Sequence, residues 1–501
     1  MILTPLGHTE FLLDIENKDG KNIRFLIDSW LSDFVVGDLC ERAVKIHLDH
    51  EKLTNIDALY ISHAHTDHLD PYSLLQIYKD ANPVLLLPIT LSYLIPIFRE
   101  YIPHIQIQIL KNREIFSFQG IDVTGIFFDN EEITNEDDVM TISFANDREI
   151  LFAEIDTIPP ETLEAQKILQ KLFTRKTYET IAYIASRNEL EGNIKAIDAQ
   201  TVKDRVNIKR EYLHGRKDEI EWGYAKWEYE EYVDFPNFFH LDGFVRGFIG
   251  QGLIYPKLLS KELSELSIFP LQEVVDREVQ IGATYDFHFP QKALLPGRQF
   301  RIEKEDIETG RKECPIGELS LSREQALVEV EVFKKFSLGP LFPQNISLDA
   351  DDVRIKTLEV LNHRFLPYFS ASPVASLRSA LIKNPDGVYR IEFKIQNQPS
   401  LIFEYSLSSE KFSEVPFDEN TRIDEDYWLA DILDYLSGRQ ELYSQFWHTL
   451  HPKRAYRLWM CLGANFLNND LVQEKYRFHF ERAKNGNTSE DFFYEMIQNL
   501  K

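Results

Sequence analysis

One stretch constrains this chain more than any other: YISHAHTDHLD, residues 60–70, directly after the apolar run LTNIDAL. The apolar run reads as a buried strand, so the polar stretch marks the strand's end. His63 and His65 are two residues apart, and on an extended segment their side chains project to the same side and can share one metal ion. Asp67 and His68 follow, where a turn can aim both at a second position. Imidazole and carboxylate suit zinc, iron or manganese, and the lack of thiolates argues against a purely structural zinc site. A lone histidine at a strand end usually bonds to backbone or water. The H-x-H-x-D-H spacing favours the ligand reading instead.

The rest of the composition narrows the setting. A chain of 501 residues is too long for one simple core, so two or three domains are expected. Lysine plus arginine total 55 against 81 aspartate plus glutamate, a net charge of −26, which repels nucleic acid and anionic membranes. The cysteines Cys40, Cys314 and Cys461 are far apart and form no C-x-x-C pair, so neither a disulfide framework nor a cysteine-built metal site is supported. With no signal-like amino terminus and no run of about 18 apolar residues, the expected location is cytoplasmic.

Along the chain, EFLLDIE and NIRFLID flank Asp19-Gly20, a hairpin signal. PYSLLQIYKD has helical spacing with proline at its start. Further hairpins are expected at Gln119-Gly120 and near Asn146-Asp147, and PPETLEAQKILQKLF reads as a helix before the buried strand TIAYIAS. Residues 202–232 read as a solvated, charged helical insert in which Trp222 and Trp227 form either a pocket wall or lid or, more simply, the buried aromatic stripe of an amphipathic helix. Beyond about residue 321 the runs QALVEVEVF, GVYRIEFKIQ and SLIFEYSL alternate like half-exposed strands, and DYWLADILDYLSG begins an α-rich tail. Hairpins with intervening helices make the first part an α/β or α+β layered domain. Around Arg246 and in LPGR (295–298), glycines beside arginines suggest a place for an anionic group of a substrate.

SHAHTDHLD resembles the signature of the metallo-β-lactamase fold, which in that superfamily ends a core strand and holds a binuclear metal centre. LGHTEFLLDI followed by FLIDSWLSD is similar to the opening of its sugar-lactonase-like and phospholipase-D-like branch. FAEIDT, residues 152–157, stands where the superfamily has G-D-T, and the resemblance implies that Asp156 bridges both metals. The run GIFFDN…DDVMTISF…AEIDTIPPE also resembles the metallo-β-lactamase-like part of CMP-N-acetylneuraminate hydroxylases, without their Rieske domain. The resemblance implies a four-layer αββα sandwich over residues 1–310, including the insert, followed by a carboxy-terminal α+β domain over 321–501. It also implies metal ligands at His63, His65, Asp67, His68 and Asp156, with His8 either packing beside the site to orient a ligand or buried as a satisfied core histidine.

Two departures stand out. After VTGIFF the superfamily usually has a histidine, and this chain has Asp129 and Asn130, which leaves Asp129 either as the substitute ligand or as a turn-forming residue at the strand's end. A final histidine is also missing where IGQG stands, leaving His240 and His288 as alternatives. Two divalent metal ions, zinc or iron/manganese, are the expected cofactors. The leading expectation is a hydrolase in which a metal-bridging hydroxide attacks a small anionic or ester/amide substrate, with Asp67 both ligating and orienting the nucleophile. Oxygen-rich ligation also fits a di-iron, O2-dependent oxygenase, which without Rieske cysteines would need a separate electron-donor protein. A non-catalytic metal-binding protein is the third reading.

Overall fold

The computed structural model describes residues 1–37, 41–42, 44–128, 139–157, 163–186, 238–250, 253–254, 271–321 without 286 and 305, 350–366, most of 384–436, and 469–499. Asp129, the insert 202–232 and the run QALVEVEVF lie outside the described residues.

The first sheet begins as an antiparallel meander of β1 (Ile2–Gly7), β2 (Glu10–Glu16) and β3 (Asn22–Ile27). The β2–β3 turn falls at Asp19-Gly20, with Gly20 at φ 79°, a left-handed angle that glycine adopts at no steric cost. From β3 the sheet continues in parallel through Ala58–Tyr60, Val84–Pro88 and Ile107–Leu110. Phe300–Glu303 and Asp306–Thr309 complete its other edge, for eight strands in all.

The second sheet has seven strands. Ile115–Phe118 and Ile121–Ile126 turn at Gln119-Gly120, where both residues have positive φ (50° and 89°), as a two-residue primed turn requires. Thr141–Ala145 and Glu149–Ala153 form the next hairpin, followed in parallel by Thr180–Ser186, Phe244–Ile249 and Gln291–Ala293.

Side-chain alternation sorts the core into layers. Phe11, Leu13 and Phe25 meet Val123, Phe144 and Leu151 between the sheets. On the far face of the first sheet, Leu12, Leu26 and Leu59 pack with Leu74 and Ile77 of the helix Pro71–Asp80 and with Ile97 and Phe98 of the helix Ile95–Tyr101. On the far face of the second, Phe152 and Tyr183 pack with Leu169 and Phe173 of the helix Leu163–Phe173. The body is a mixed α/β structure.

Four further strands, Lys411–Val415, Gln398–Ser406, Val388–Ile395 and Glu425–Trp428, form a separate sheet with its own core around Phe393, Phe403 and Tyr427. DYW, expected to begin a helix, belongs to the strand Glu425–Trp428, which pairs in parallel with Val388–Ile395; the helix starts only at Leu429. Aromatic residues fit a pleated surface, and sheet pairing outweighs the helical pattern that follows them.

The region 321–501 also contributes to the first body. Val472, Tyr476 and Phe480 of the helix Asn469–Lys484 join the core under the first sheet, and Phe480 stacks on Tyr101 at 5.1 Å.

Candidate metal centre

The strand Ala58–Tyr60 ends one turn before the histidines, and the helix Pro71–Asp80 starts just after them. Asp70 caps that helix by accepting from Tyr72 N (3.0 Å) and Ser73 N (3.3 Å), with Pro71 in the first turn, so the loop has a fixed point at each end. Its middle is tied down as well. Ser29 N donates to the carbonyl of His68 at 2.8 Å, Thr66 Oγ1 to the carbonyl of Val36 at 3.0 Å, and Tyr476 Oη to the carbonyl of Ala64 at 2.7 Å.

Asp28, just after β3, sets the histidine tautomers. Its Oδ2 lies 2.8 Å from His68 Nδ1 and 2.9 Å from Ser62 Oγ, and its Oδ1 accepts from Ser62 N at 2.8 Å. Ser62 Oγ in turn lies 3.0 Å from His63 Nδ1. With Ser62 donating to the carboxylate, its oxygen accepts from His63 Nδ1–H, so one buried carboxylate holds the Nδ1 proton on both rings and turns both Nε2 atoms into the site, where His63 Nε2 lies 2.9 Å from His65 Nδ1 and His68 Nε2 lies 3.4 Å from Asp156 Oδ2.

Two groups of ligand atoms result, each drawn together within 4.8 Å: His63, His65 and Asp156 in one, His8, His68 and Asp156 in the other. Asp156 is common to both. It sits on a turn in which Ile155 has φ 62°, a strained angle for a β-branched residue. The turn is held by Glu154, whose carbonyl accepts from Thr157 Oγ1 (2.9 Å) and whose carboxylate accepts from Tyr183 Oη and from Ser186 N. Asp67 Oδ2 lies 3.2 Å from His8 Nε2 and 3.9 Å from His68 Nε2. Asp129 lies outside the described residues. His240 and His288 are exposed and belong to neither group.

The electrostatics suit a cation. Burial, with the neighbouring His68 and His65, holds His63 well below its ordinary range, so it is a neutral ring. Burial opposes ionisation of Asp67, but His68 and His8 hold its carboxyl well below the usual range. Burial likewise opposes Asp156, and the hydrogen bond from His68 lowers it. For His68 burial acts downward, yet Asp67, Asp28 and Asp156 raise it well above an ordinary histidine. Negative potential thus converges between the rings. A neutral His63 and ionised carboxylates, with a His68 that would release its Nε2 proton on binding a cation, form a donor set that fits zinc, iron or manganese.

Behind this group, Glu10 and Arg42 form a buried pair 3.3 Å apart. Burial pushes the Glu10 carboxyl up to about 7 despite Arg42, and the guanidinium also donates to the carbonyls of Leu6 and Val44. Arg246, read in the sequence as a possible anchor for a substrate anion, is fully buried among Tyr183, Phe239 and Phe248, 3.8 Å from Glu278. Its neighbour Gly247 is a packing requirement: a Cβ there would come within 2.5 Å of Leu294.

No family model matches the chain. A curated protein of Mycolicibacterium smegmatis, described provisionally as a Rieske 2Fe-2S iron–sulfur protein, is 35% identical over 88 residues, 18% of this chain and 16% of the relative. Similar solved structures include the diiron β-hydroxylase CmlA of Streptomyces venezuelae (TM-score 0.26, 16% identity, 37% of this chain and 34% of that one). They also include the metallo-β-lactamase fold protein YhfI of Bacillus subtilis (TM-score 0.25, 11% identity, 37% and 72%) and the Rm3 metallo-β-lactamase (TM-score 0.20, 8% identity, 36% and 77%). The match thus spans well under two thirds of the length of the curated relative and of the hydroxylase. Metallo-β-lactamase-fold proteins therefore stand among the chain's structural neighbours, in the superfamily that its own metal loop resembles. At these scores the superpositions add no weight to what the loop and its ligand groups already carry.

Proposed function

We propose that the chain is a binuclear metal-dependent hydrolase acting on a small anionic, ester or amide substrate. The observation that carries this reading is Asp156, a single carboxylate shared by two histidine groups, as a bridging ligand would be. The layered core supports taking the body as a four-layer αββα sandwich. His63, His65, Asp67, His68 and Asp156 would hold the ions, and Asp129 is the sequence's candidate for the place left beside His63 and His65. When bound, a pair of divalent ions supplies an acidified water nucleophile and polarises the carbonyl or phosphoryl oxygen under attack. Asp67, held ionised by His68 and His8 and 17% exposed at its side chain, would orient that nucleophile, accept the proton the water gives up and hand it to the departing group. His63 and His68 are fully buried, so their rings would shield the ions from bulk water on that side.

A second reading, an O2-dependent di-iron oxygenase fed by an electron-donor protein, draws on the Rieske description of the curated relative and on the carboxylate at Asp129. Metal analysis with aerobic and anaerobic spectra separates the two. The hydrolase should carry about two zinc or manganese ions, be colourless, and cleave a phosphodiester, lactone or amide with or without air. Two irons, visible absorption and a requirement for O2 and a reductant would establish the second reading. Fewer than about one metal per chain would defeat both.

A further inference from the structure

We infer that the tip of the β1–β2 hairpin supplies a metal ligand of its own, His8 Nε2, which completes the position formed by Asp67, His68 and Asp156. This rests on the binuclear reading above and assigns His8 a direct role in place of the orienting one expected from the sequence.

The distances carry the assignment. Two ligands held about 2.0–2.1 Å from one zinc ion at a tetrahedral angle are about 3.3 Å apart. His8 Nε2 lies 3.3 Å from His68 Nε2 and 3.2 Å from Asp67 Oδ2, and His68 Nε2 lies 3.4 Å from Asp156 Oδ2. These three spacings are those of ligands around a common centre, and the 3.9 Å between His68 Nε2 and Asp67 Oδ2 is a wider edge of the same cluster. His68 already has its Nδ1 engaged with Asp28, so its Nε2 meets that of His8 across the gap that an ion would fill.

Among the described residues, the ring of His8 makes its polar contacts through Nε2, with Asp67 and His68. Its Nδ1 is buried and makes no hydrogen bond among the described residues, and the ring is set edge-on to Trp30 at 5.7 Å. The backbone is strained to place it. β1 and β2 join through a tight tip with a register shift between Pro5 and Gly7, and His8 sits at φ 42°. Glycine or asparagine occupies such a tip readily, and a positive φ is uncommon for other residues. Thr9, the next residue, lies with its Oγ1 3.2 Å from His68 Nδ1, so the whole tip is docked on the metal loop. Strain of this kind persists where the surroundings over-determine it, typically at a ligand clamp.

The test titrates zinc and cobalt(II) into full-length apoprotein and its variants, with metal content measured after dialysis. His8→Gly suits the left-handed backbone and so preserves the fold; His8→Gln keeps a hydrogen-bonding group but is a poor ligand. Wild type should take up about two ions. Both variants should keep the ion of His63 and His65 and bind the other at least about 100-fold more weakly, beyond the usual loss of an outer-shell partner. Free imidazole should restore the second ion, and the wild-type cobalt spectrum, in His8→Gly. Two ions bound by His8→Gln within about threefold of wild type would overturn the assignment of His8 and leave the binuclear reading intact. Wild type binding a single ion would overturn the binuclear reading, and the assignment with it.

Discussion

Asp28 in the amino-terminal body and Glu425 in the small carboxy-terminal sheet are both buried carboxylates with ring-bearing partners. Asp28 faces imidazoles: His68 directly and His63 through Ser62. Glu425 accepts from two phenols, Tyr389 Oη and Tyr427 Oη. Phenols are neutral donors that present no second ring nitrogen to a metal, so Glu425 fixes the packing of its sheet. Imidazoles are two-ended, and a carboxylate at one nitrogen makes the other a better ligand. What lies on the far side of the partner decides whether a buried carboxylate is structural or prepares chemistry.

The sharpest way to break this contrast is at Asp28. Asp28→Ala should weaken each of two ions by about 10–100-fold, which over both sites is up to about 5 kcal/mol of holoprotein stability. Titration with zinc checks it, and an unchanged two-ion isotherm would show that Asp28 does not orient the histidines. Next in size is Arg42→Ala, which strands the buried Glu10 and should cost about 3–5 kcal/mol in denaturant unfolding. Glu425→Gln is the counterpart of the Asp28 variant: a loss of about 1–3 kcal/mol with metal content unchanged. A shift in its metal isotherm would erase the distinction between the two carboxylates. Smallest is Tyr476→Phe, which removes the bond to the Ala64 carbonyl. It should cost about 1 kcal/mol, with faster amide hydrogen exchange confined to residues around 63–66.

Much of the site was legible because it is local. H-x-H-x-D-H occupies one loop between a strand and a helix, and their signals, an apolar run and an Asp-Pro start, are read from neighbouring residues. The Gln119-Gly120 and Asp19-Gly20 turns carry their own chemistry in the same way. Asp156 was found only through resemblance, since nothing near it in sequence speaks of metal. The role of Asp28 was missed although FLIDSWLSD had been singled out, because a carboxylate's task depends on which histidine it meets 40 residues later. His8 was noticed, but the reach of its Nε2 depends on a hairpin tip whose strain only coordinates reveal. Arg246 misleads for the opposite reason: beside glycines it suggests an anion site, whereas its position on a strand paired on both sides buries it against aromatic rings.

The hydrogen bond from Tyr476 to Ala64 joins residues 412 positions apart, and it touches the peptide between the two histidines of one ligand group. Contacts of such separation are costly to close and tend to form late. During synthesis the metal loop would be made early, while the helix that braces it from behind emerges only after more than four hundred further residues. Until then the loop lacks one of its three ties, and full metal affinity becomes a property of the finished chain.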